Sequence, residues 1–256
     1  MPKTIPEATR ELCLAFPEAQ ETLSHGRPDY RVNDRSFAKL MINLHGDGRV
    51  ALWLHMPPGA QEHFVELDPE SYFPPPYLAK KGWLGVELNE GLSWPEVAAR
   101  AREAWEHTAT AGLASELEST PSVLPPDSKM SSEEIDPLQS SHAKNVLKEL
   151  RKRIQRLPEV NEDTQFGRPV WKAGKKTFVG VFHRDGHLQL DFWVGIEQQV
   201  MMTMDPRFTV PKFTGHNGWI NMDVEEFQDW NEIDDLIENS YRHFALKRML
   251  SELDGK

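Results

Sequence analysis

The sequence predicts an α+β protein made of two copies of one antiparallel domain. The first observation is a repeat: residues 16–40 align without gaps on residues 157–181 with 7 identities in 25 positions, where chance gives about 1 or 2. The second is a series of alternating segments between turn residues in both copies, as half-buried strands require. The third is a helix signature that closes each copy. Two long copies predict tandem globular domains and not a solenoid.

Each copy begins with a helix. Thr4 and Glu7 form a capping-box pattern, apolar residues recur at helical spacing up to Phe16, and Pro17 ends the helix. The residues that recur from this point onward are Pro17, Glu18, Glu21, Gly26, Arg27, Pro28 and Phe37, which return as Pro158, Glu159, Glu162, Gly167, Arg168, Pro169 and Phe178.

A hairpin follows, with strands predicted over residues 29–32 and 35–44. The turn pair between them is Asn33-Asp34, and a two-residue loop sets the register, which places Tyr30 opposite Phe37. The same register in the second copy places Trp171 opposite Phe178, so that each copy carries one aromatic cross-strand pair.

The remaining elements of the two copies also correspond. Third strands are predicted over residues 50–55 and 187–194, which gives each copy a three-stranded meander. Short helices over residues 59–67 and 197–204 and further strands over residues 82–86 and 218–222 come next. The closing helices start at capping boxes led by Ser93 and Asp229, and their buried stripes are predicted to be Val97, Ala101 and Trp105 in one copy and Ile233, Ile237 and Tyr241 in the other.

Proline, serine and acidic residues between the copies are typical of a linker. The predicted organisation is therefore a first domain over residues 1–118, a linker over residues 119–140 and a second domain over residues 141–256. No apolar run reaches bilayer-spanning length, and the N-terminus lacks the apolar region of a secretion signal. The single cysteine, Cys13, cannot form an internal disulfide, so we expect a cytoplasmic protein.

The ordered set of motifs resembles the MmcQ/YjbR-type domain family. In the first copy the set comprises Phe16-Pro17-Glu18, Gly26-Arg27-Pro28, the hairpin from Tyr30 to Phe37, Gly82-Trp83 and Trp105. In the second copy it comprises Leu157-Pro158-Glu159, Gly167-Arg168-Pro169, Trp171-Lys172 to Phe178, Gly218-Trp219 and Ser240-Tyr241. The resemblance covers nearly the whole chain except the linker, and a tandem departs from the usual single-domain member.

The resemblance implies a frataxin-like α+β fold. It also implies DNA binding, because the family is regarded as DNA-binding by analogy with a double-wing domain of a phage transcription activator. This functional implication rests on fold-level analogy.

Charge narrows the region in which a polyanion could bind. The net charge is −11, but residues 1–118 carry −7 whereas residues 141–256 carry only −1, because 17 Lys and Arg there offset 18 Asp and Glu. Lys144 begins a basic stripe with four-residue spacing, and lysines crowd the second hairpin. The nucleic-acid-binding residues predicted from this pattern are Lys148, Lys152, Arg156, Arg168, Lys172, Lys175 and Lys176, and the secondary candidates in the first copy are Arg27, Arg31, Arg35 and Lys39.

Other interpretations stay open at this point. The basic stripe also fits a solvated helix face, and exposed Trp171 or Tyr30 would suit base stacking, although their facing phenylalanines favour burial. The predicted partner is DNA or, alternatively, another protein or a small ligand; an acidic cluster from Asp223 to Asp235 raises iron binding as a weaker alternative. No catalytic motif is present, so we expect a binding protein that is not an enzyme, with no cofactor and no metal site.

Overall fold

The computed structural model describes residues 3–255 and divides the chain into two compact units, with the boundary between Ile135 and Asp136. Each unit contains a six-stranded antiparallel sheet and flanking helices, which confirms the predicted α+β class with two tandem domains.

The first unit has its strands in the order β1-β2-β3-β4-β6-β5. These strands are β1 (Gln20–Ser24), β2 (Arg27–Val32), β3 (Arg35–Ile42), β4 (Val50–His55), β5 (Tyr72–Phe73) and β6 (Trp83–Glu87). Its helices are α1 (Ile5–Leu14), α2 (Ala60–Leu67), α3 (Trp94–Thr108), α4 (Ala111–Ala114) and α5 (Ser132–Ile135). Single 3-10 turns lie at Leu44–Gly46 and Ala79–Lys81.

The second unit repeats this order as β7-β8-β9-β10-β12-β11. Its strands are β7 (Val160–Gln165), β8 (Arg168–Ala173), β9 (Lys176–Arg184), β10 (His187–Trp193), β11 (Phe208–Thr209) and β12 (Trp219–Asp223). Its helices are α6 (Ser141–Ile154), α7 (Ile196–Met202), α8 (Trp230–Phe244) and α9 (Lys247–Leu253), with 3-10 turns at Pro137–Gln139 and Gly215–Asn217.

The first and the closing long helix of each unit supply the apolar cover of the sheet. In the first unit, Phe16 stacks on Trp105 of α3 with ring centroids 5.5 Å apart, and both side chains are buried. The predicted stripes of both closing helices are buried as well. Burial of each large apolar side chain contributes about 1.5–3 kcal/mol, so helix packing is a main source of stability for both units.

Specific hydrogen bonds recur in the two units. Trp105 Nε1 donates to the carbonyl of Pro17 at 3.3 Å, and the Tyr241 hydroxyl donates to the carbonyl of Pro158 at 2.7 Å. Gln199 of α7 donates to the carbonyls of Gly215 and Trp219 at 2.9 and 2.6 Å. Its counterpart in the first unit is Gln61, which contacts the carbonyls of Ala79 and Trp83. The duplication therefore extends from sequence to individual contacts.

The hairpin register differs from the prediction. Arg31 pairs with Ser36 as expected, but a bulge follows, so that Tyr30 lies opposite Ala38 and not Phe37. Likewise Trp171 lies opposite Val179 and not Phe178. A bulge inserts one extra residue into β3 and β9, which turns two successive side chains toward the core. Phe37 and Ala38 are accordingly both buried.

Two strands and one capping box were not predicted correctly. β1 and β7 form the outer edge of each sheet, pairing with β2 and β8, and the predicted meander lacked them. At the start of α8, Asp229 accepts a hydrogen bond from the Asn231 amide, but Glu232 pairs with Arg207 and does not complete a box.

Most residues predicted as a linker belong to the first unit. Asn89 exchanges hydrogen bonds with the backbone of Met130 at 2.7 and 3.1 Å, and Arg102 donates to Thr120 at 3.3 Å. Val123 also packs against the core of that unit. The predicted domain bounds, 1–118, 119–140 and 141–256, stay a prediction.

Candidate functional site

The basic stripe lies on the outer side of α6. Ser140 caps the helix, and Val146, Leu150 and Ile154 face the core. Since these residues occupy the apolar side, the four-residue spacing leaves the basic side chains outside. The exposed side carries Lys144, Lys148, Lys152 and, just beyond the helix, Arg156.

The turn between β8 and β9 lies beside the segment that follows α6. Val160 of β7 pairs with Ala173, which is one residue before the turn, and Arg156 comes four residues before Val160. Gly174 has φ +60°, a left-handed conformation that glycine adopts without strain. This turn exposes Lys175 and Lys176 and lies near the C-terminal end of the stripe, where Arg156 is.

The seven predicted residues differ in their ion pairing. Arg168 donates to Asp191 at 2.9 Å, and Lys172 pairs with Asp163, so these two charges are neutralised within the unit. The other five are exposed, and none of them forms an ion pair with any residue between 3 and 255. These five residues, here called the cation set, are Lys148, Lys152, Arg156, Lys175 and Lys176.

Carboxylates next to the cation set are already paired. Glu162 of β7 binds Arg151 through two guanidinium nitrogens at 2.8 and 2.9 Å, and Glu159 binds Arg248 at 2.5 Å. The hydrogen bond from Arg248 holds the pKa of Glu159 below its usual range, and that from Lys172 does the same for Asp163. Glu159 and Asp163 are therefore ionised, and since all three carboxylates have partners of their own, they leave the charge of the cation set uncancelled.

Sequence reasoning missed a contribution from α9. A Cβ atom added at Gly174 would lie 4.0 Å from Leu246, so the segment before α9 touches the β8–β9 turn. Lys247 follows directly and is exposed, and Arg248 holds Glu159. The signal in the sequence was the basic pair after Leu246, but its place beside the hairpin depends on the tertiary fold.

At three positions of the cation set, the first unit has an acid where the second has a lysine. With the 141-residue offset of the repeat, Lys148, Lys152 and Lys175 correspond to Glu7, Glu11 and Asp34. The offset is structurally valid, because the pair Arg10–Glu21 corresponds to Arg151–Glu162. The same positions in one fold therefore carry opposite charge, which the fold itself does not require.

The secondary candidates do not form a basic surface. Asp29 is buried and binds both Arg31 at 3.3 Å and Lys39 at 2.9 Å. Arg27 contacts the sulfur of Met41 at 3.7 Å, and only Arg35 is fully exposed at the turn. The structure thus scatters these four residues among different contacts.

Two further sequence interpretations can be compared with the structure. Trp171 is 2% exposed and Tyr30 is fully buried, so neither ring offers a stacking surface. Several acids between Asp223 and Asp235 have structural contacts, such as Asp234 with Arg153 at 2.8 Å. Between residues 3 and 255, no three His, Cys, Asp or Glu side chains are grouped to hold a metal ion. In the same part of the chain, no helix has the length and apolarity needed to span a bilayer.

Comparison with known proteins identifies the family. The model of the YjbR family matches residues 14–107 and 155–243, one segment in each unit. Among solved structures, the chain is similar to the Deinococcus radiodurans protein DR2400, a DUF419 domain, with 21% identity and a TM-score of 0.39 over 47% of this chain and 96% of that one. No curated protein matches the chain. Because the two matched segments make up more than half of the sequence, the chain belongs to the YjbR family and contains the family domain twice.

Proposed function

We propose that this protein is a non-enzymatic binding protein whose second unit binds duplex DNA through the cation set. The observation that carries the proposal is the combination of exposure and missing ion pairs at Lys148, Lys152, Arg156, Lys175 and Lys176. The charge reversal between the two units at Lys148, Lys152 and Lys175 supports a role for these lysines beyond solubility.

The geometry suits phosphate contacts better than base reading. Lysine is a flexible point charge, and contacts of this kind fix a protein on the backbone without selecting a sequence. The turn carries two adjacent lysines near the C-terminal end of α6, and the lysines of α6 recur every four residues, about 6 Å apart along its axis, a spacing that can follow successive phosphates. We therefore expect affinity without strong sequence preference. The buried single cysteine fits a cytoplasmic place for this activity.

Charge reversal at the turn tests the proposal. Lys175→Glu combined with Lys176→Glu should weaken binding to a short DNA duplex at low salt by at least about tenfold. The slope of log affinity against log salt, which is negative, should also become shallower by about 2, because two phosphate contacts are lost. Fluorescence anisotropy of labelled duplex over a salt series measures both quantities.

A matched control separates position from net charge. Lys80 and Lys81 are likewise adjacent and exposed, and they lie in the first unit, so Lys80→Glu with Lys81→Glu makes the same change in net charge. Binding should be nearly unchanged in this control. Equal losses in the two double variants, or no binding by the natural protein at low salt, would contradict the proposal.

A further inference from the structure

The first unit has a pocket on the sheet face away from α1 and α3. Its volume is about 540 Å³, within the size range of small-molecule sites. The floor is apolar and consists of Met41, Leu44 and Leu78, which pack against the buried Trp53. Such a floor favours a flat apolar body.

Arg27 supplies a cation at the edge of this floor. Its guanidinium contacts Met41 Sδ at 3.7 Å, a weak acceptor, and it forms no ion pair with the described residues. The neighbouring Lys39 is different, because Asp29 already neutralises it at 2.9 Å. A half-buried arginine that has no carboxylate partner is unusual. Guanidinium groups favour planar anions, with which they form two parallel hydrogen bonds.

The second unit shows what the equivalent arginine binds. Arg168 corresponds to Arg27, and it donates to Asp191 Oδ2 at 2.9 Å. In the aligned sheets, Asp191 occupies the position of Trp53, and Gly180 occupies that of Lys39. A Cβ at Gly180 would lie 3.2 Å from the Asp191 carboxylate, so the glycine makes room for it. In the second unit, the carboxylate of Asp191 therefore occupies the hydrogen-bonding position on Arg168. Among the described residues of the first unit, no carboxylate occupies the equivalent position on Arg27.

The outer wall of the pocket has unusual backbone geometry. Tyr77 and His45 form this wall, joined by a hydrogen bond of 3.0 Å between the Tyr77 hydroxyl and His45 Nε2. Tyr77 has φ +67° and His45 has φ +56°, and Asn43 nearby has φ +49°. Left-handed conformations are uncommon for residues other than glycine and concentrate at ligand sites.

From these observations we infer that the first unit binds a small organic anion with a flat apolar body. The ring lies on Met41, Leu44 and Leu78, and the anionic group, a carboxylate or a phosphate, accepts hydrogen bonds from Arg27. This site is separate from the cation set and does not depend on DNA binding.

Two probes that differ only in the anionic group test the inference. Benzoate and phenyl phosphate should each shift the Trp53 indole resonance of the full chain saturably at millimolar concentration, and the tighter one identifies the preferred anion. Benzyl alcohol, a neutral analogue, should bind at least about tenfold more weakly, because it cannot accept a charge-assisted pair. Arg27→Gln should weaken both anions by a similar factor, whereas the exposed Arg35→Gln should leave them unchanged.

A second variant keeps the test decisive if Arg27→Gln misfolds. Met41→Glu places a carboxylate beside Arg27, as Asp191 does beside Arg168, and it should abolish binding of both probes while the remaining resonances keep their positions. The inference is overturned if neither anion gives a saturable shift, if benzyl alcohol binds equally well, or if Met41→Glu binds as tightly as the natural protein. Anisotropy with duplex DNA reports on the second unit and is unaffected by these outcomes.

Discussion

Two buried tyrosine hydroxyls have different surroundings. The Tyr241 hydroxyl donates to the carbonyl of Pro158 at 2.7 Å and so ties α8 to the chain that leads into β7. The Tyr30 hydroxyl is buried and has no hydrogen-bond partner among the residues that the structure describes. Burial raises the pKa of Tyr241 to about 12 and raises that of Tyr30 as well. Both hydroxyls therefore stay protonated at neutral pH, and only one of them contributes a hydrogen bond.

Removal of the Tyr241 hydroxyl and removal of the Tyr30 hydroxyl should have different effects on the free energy of unfolding. Tyr241→Phe loses a hydrogen bond and should lower the free energy of unfolding of the second unit by about 1 kcal/mol. Tyr30→Phe removes an unpaired polar atom from the core and should be neutral or stabilise the first unit by up to about 1 kcal/mol. Urea unfolding of both variants, followed by tryptophan fluorescence, measures the difference. An equal loss of stability in the two variants would refute the explanation.

The helical spacing of the closing stripes identified Trp105 and Tyr241 as core residues from the sequence alone. Their acceptors were not predictable in this way. The carbonyl of Pro17 lies 88 residues from Trp105 along the chain, and only the packed fold brings the two groups together. Local pattern thus indicates which side chain is buried, whereas the partner of its polar atom depends on tertiary structure.

At the scale of the sheet, the pair Arg168–Asp191 connects β8 to β10 across β9. The Asp191 side chain is 13% exposed. Burial raises its pKa to about 6, although Arg168 opposes the shift. Between the ordinary pKa of Asp and about 6, Asp191 is therefore protonated in the folded protein, whereas the same carboxyl group is ionised in the unfolded chain.

The resulting pH dependence has a definite sign. The contribution of Asp191 to the free energy of unfolding is fully present below the pKa of Asp in the unfolded chain. This contribution is lost as the pH rises through the pKa of Asp191 in the folded protein, which is about 6. Between pH 4 and 7, the second unit of the natural protein should lose about 2–3 kcal/mol relative to Asp191→Asn. Asp163→Asn is the control, because Lys172 lowers the pKa of Asp163 and the sign is reversed. Parallel pH profiles for the natural protein and Asp191→Asn would rule out this explanation.

The elements that the sequence failed to predict have physical causes. β1 and β7 are edge strands with mostly exposed side chains, so their sequences lack the apolar alternation by which strands are recognised. The bulges at Phe37 and Phe178 change the register by one residue, which turn chemistry alone does not reveal. The central strands and long helices alternate clearly and were predicted with small errors at their ends.

The same distinction applies to the candidate sites. Lysine spacing indicated the stripe on α6, but ion pairing decides that Arg168 and Lys172 are neutralised while the cation set is not. The pocket over Trp53 combines residues from β2, β3, β4 and the loop after β5, so no continuous motif could indicate it.

At the scale of the whole molecule, the segment between the domains contributes to one of them. Residues 119–130 contact the first unit through Thr120, Val123 and Met130, and the Asp127 amide donates to the Lys3 carbonyl at 2.8 Å. Proline and serine are common in flexible linkers, but here the segment that contains them packs on the first unit. Composition alone does not distinguish a flexible linker from a segment packed on a domain, because neither kind of segment needs the apolar residues of a separate core.

Fragments that end at different residues should therefore differ in stability. A fragment of residues 1–135 should unfold at higher urea concentration than one of residues 1–118, with a difference of about 1–3 kcal/mol from the lost apolar burial and hydrogen bonds. Asn89→Ala in the longer fragment should remove part of that difference, because it breaks both hydrogen bonds to Met130. If the segment is a linker in solution, the two fragments will unfold together and Asn89→Ala will have no effect. That result would place the end of the folding unit at residue 118, where the sequence alone puts it.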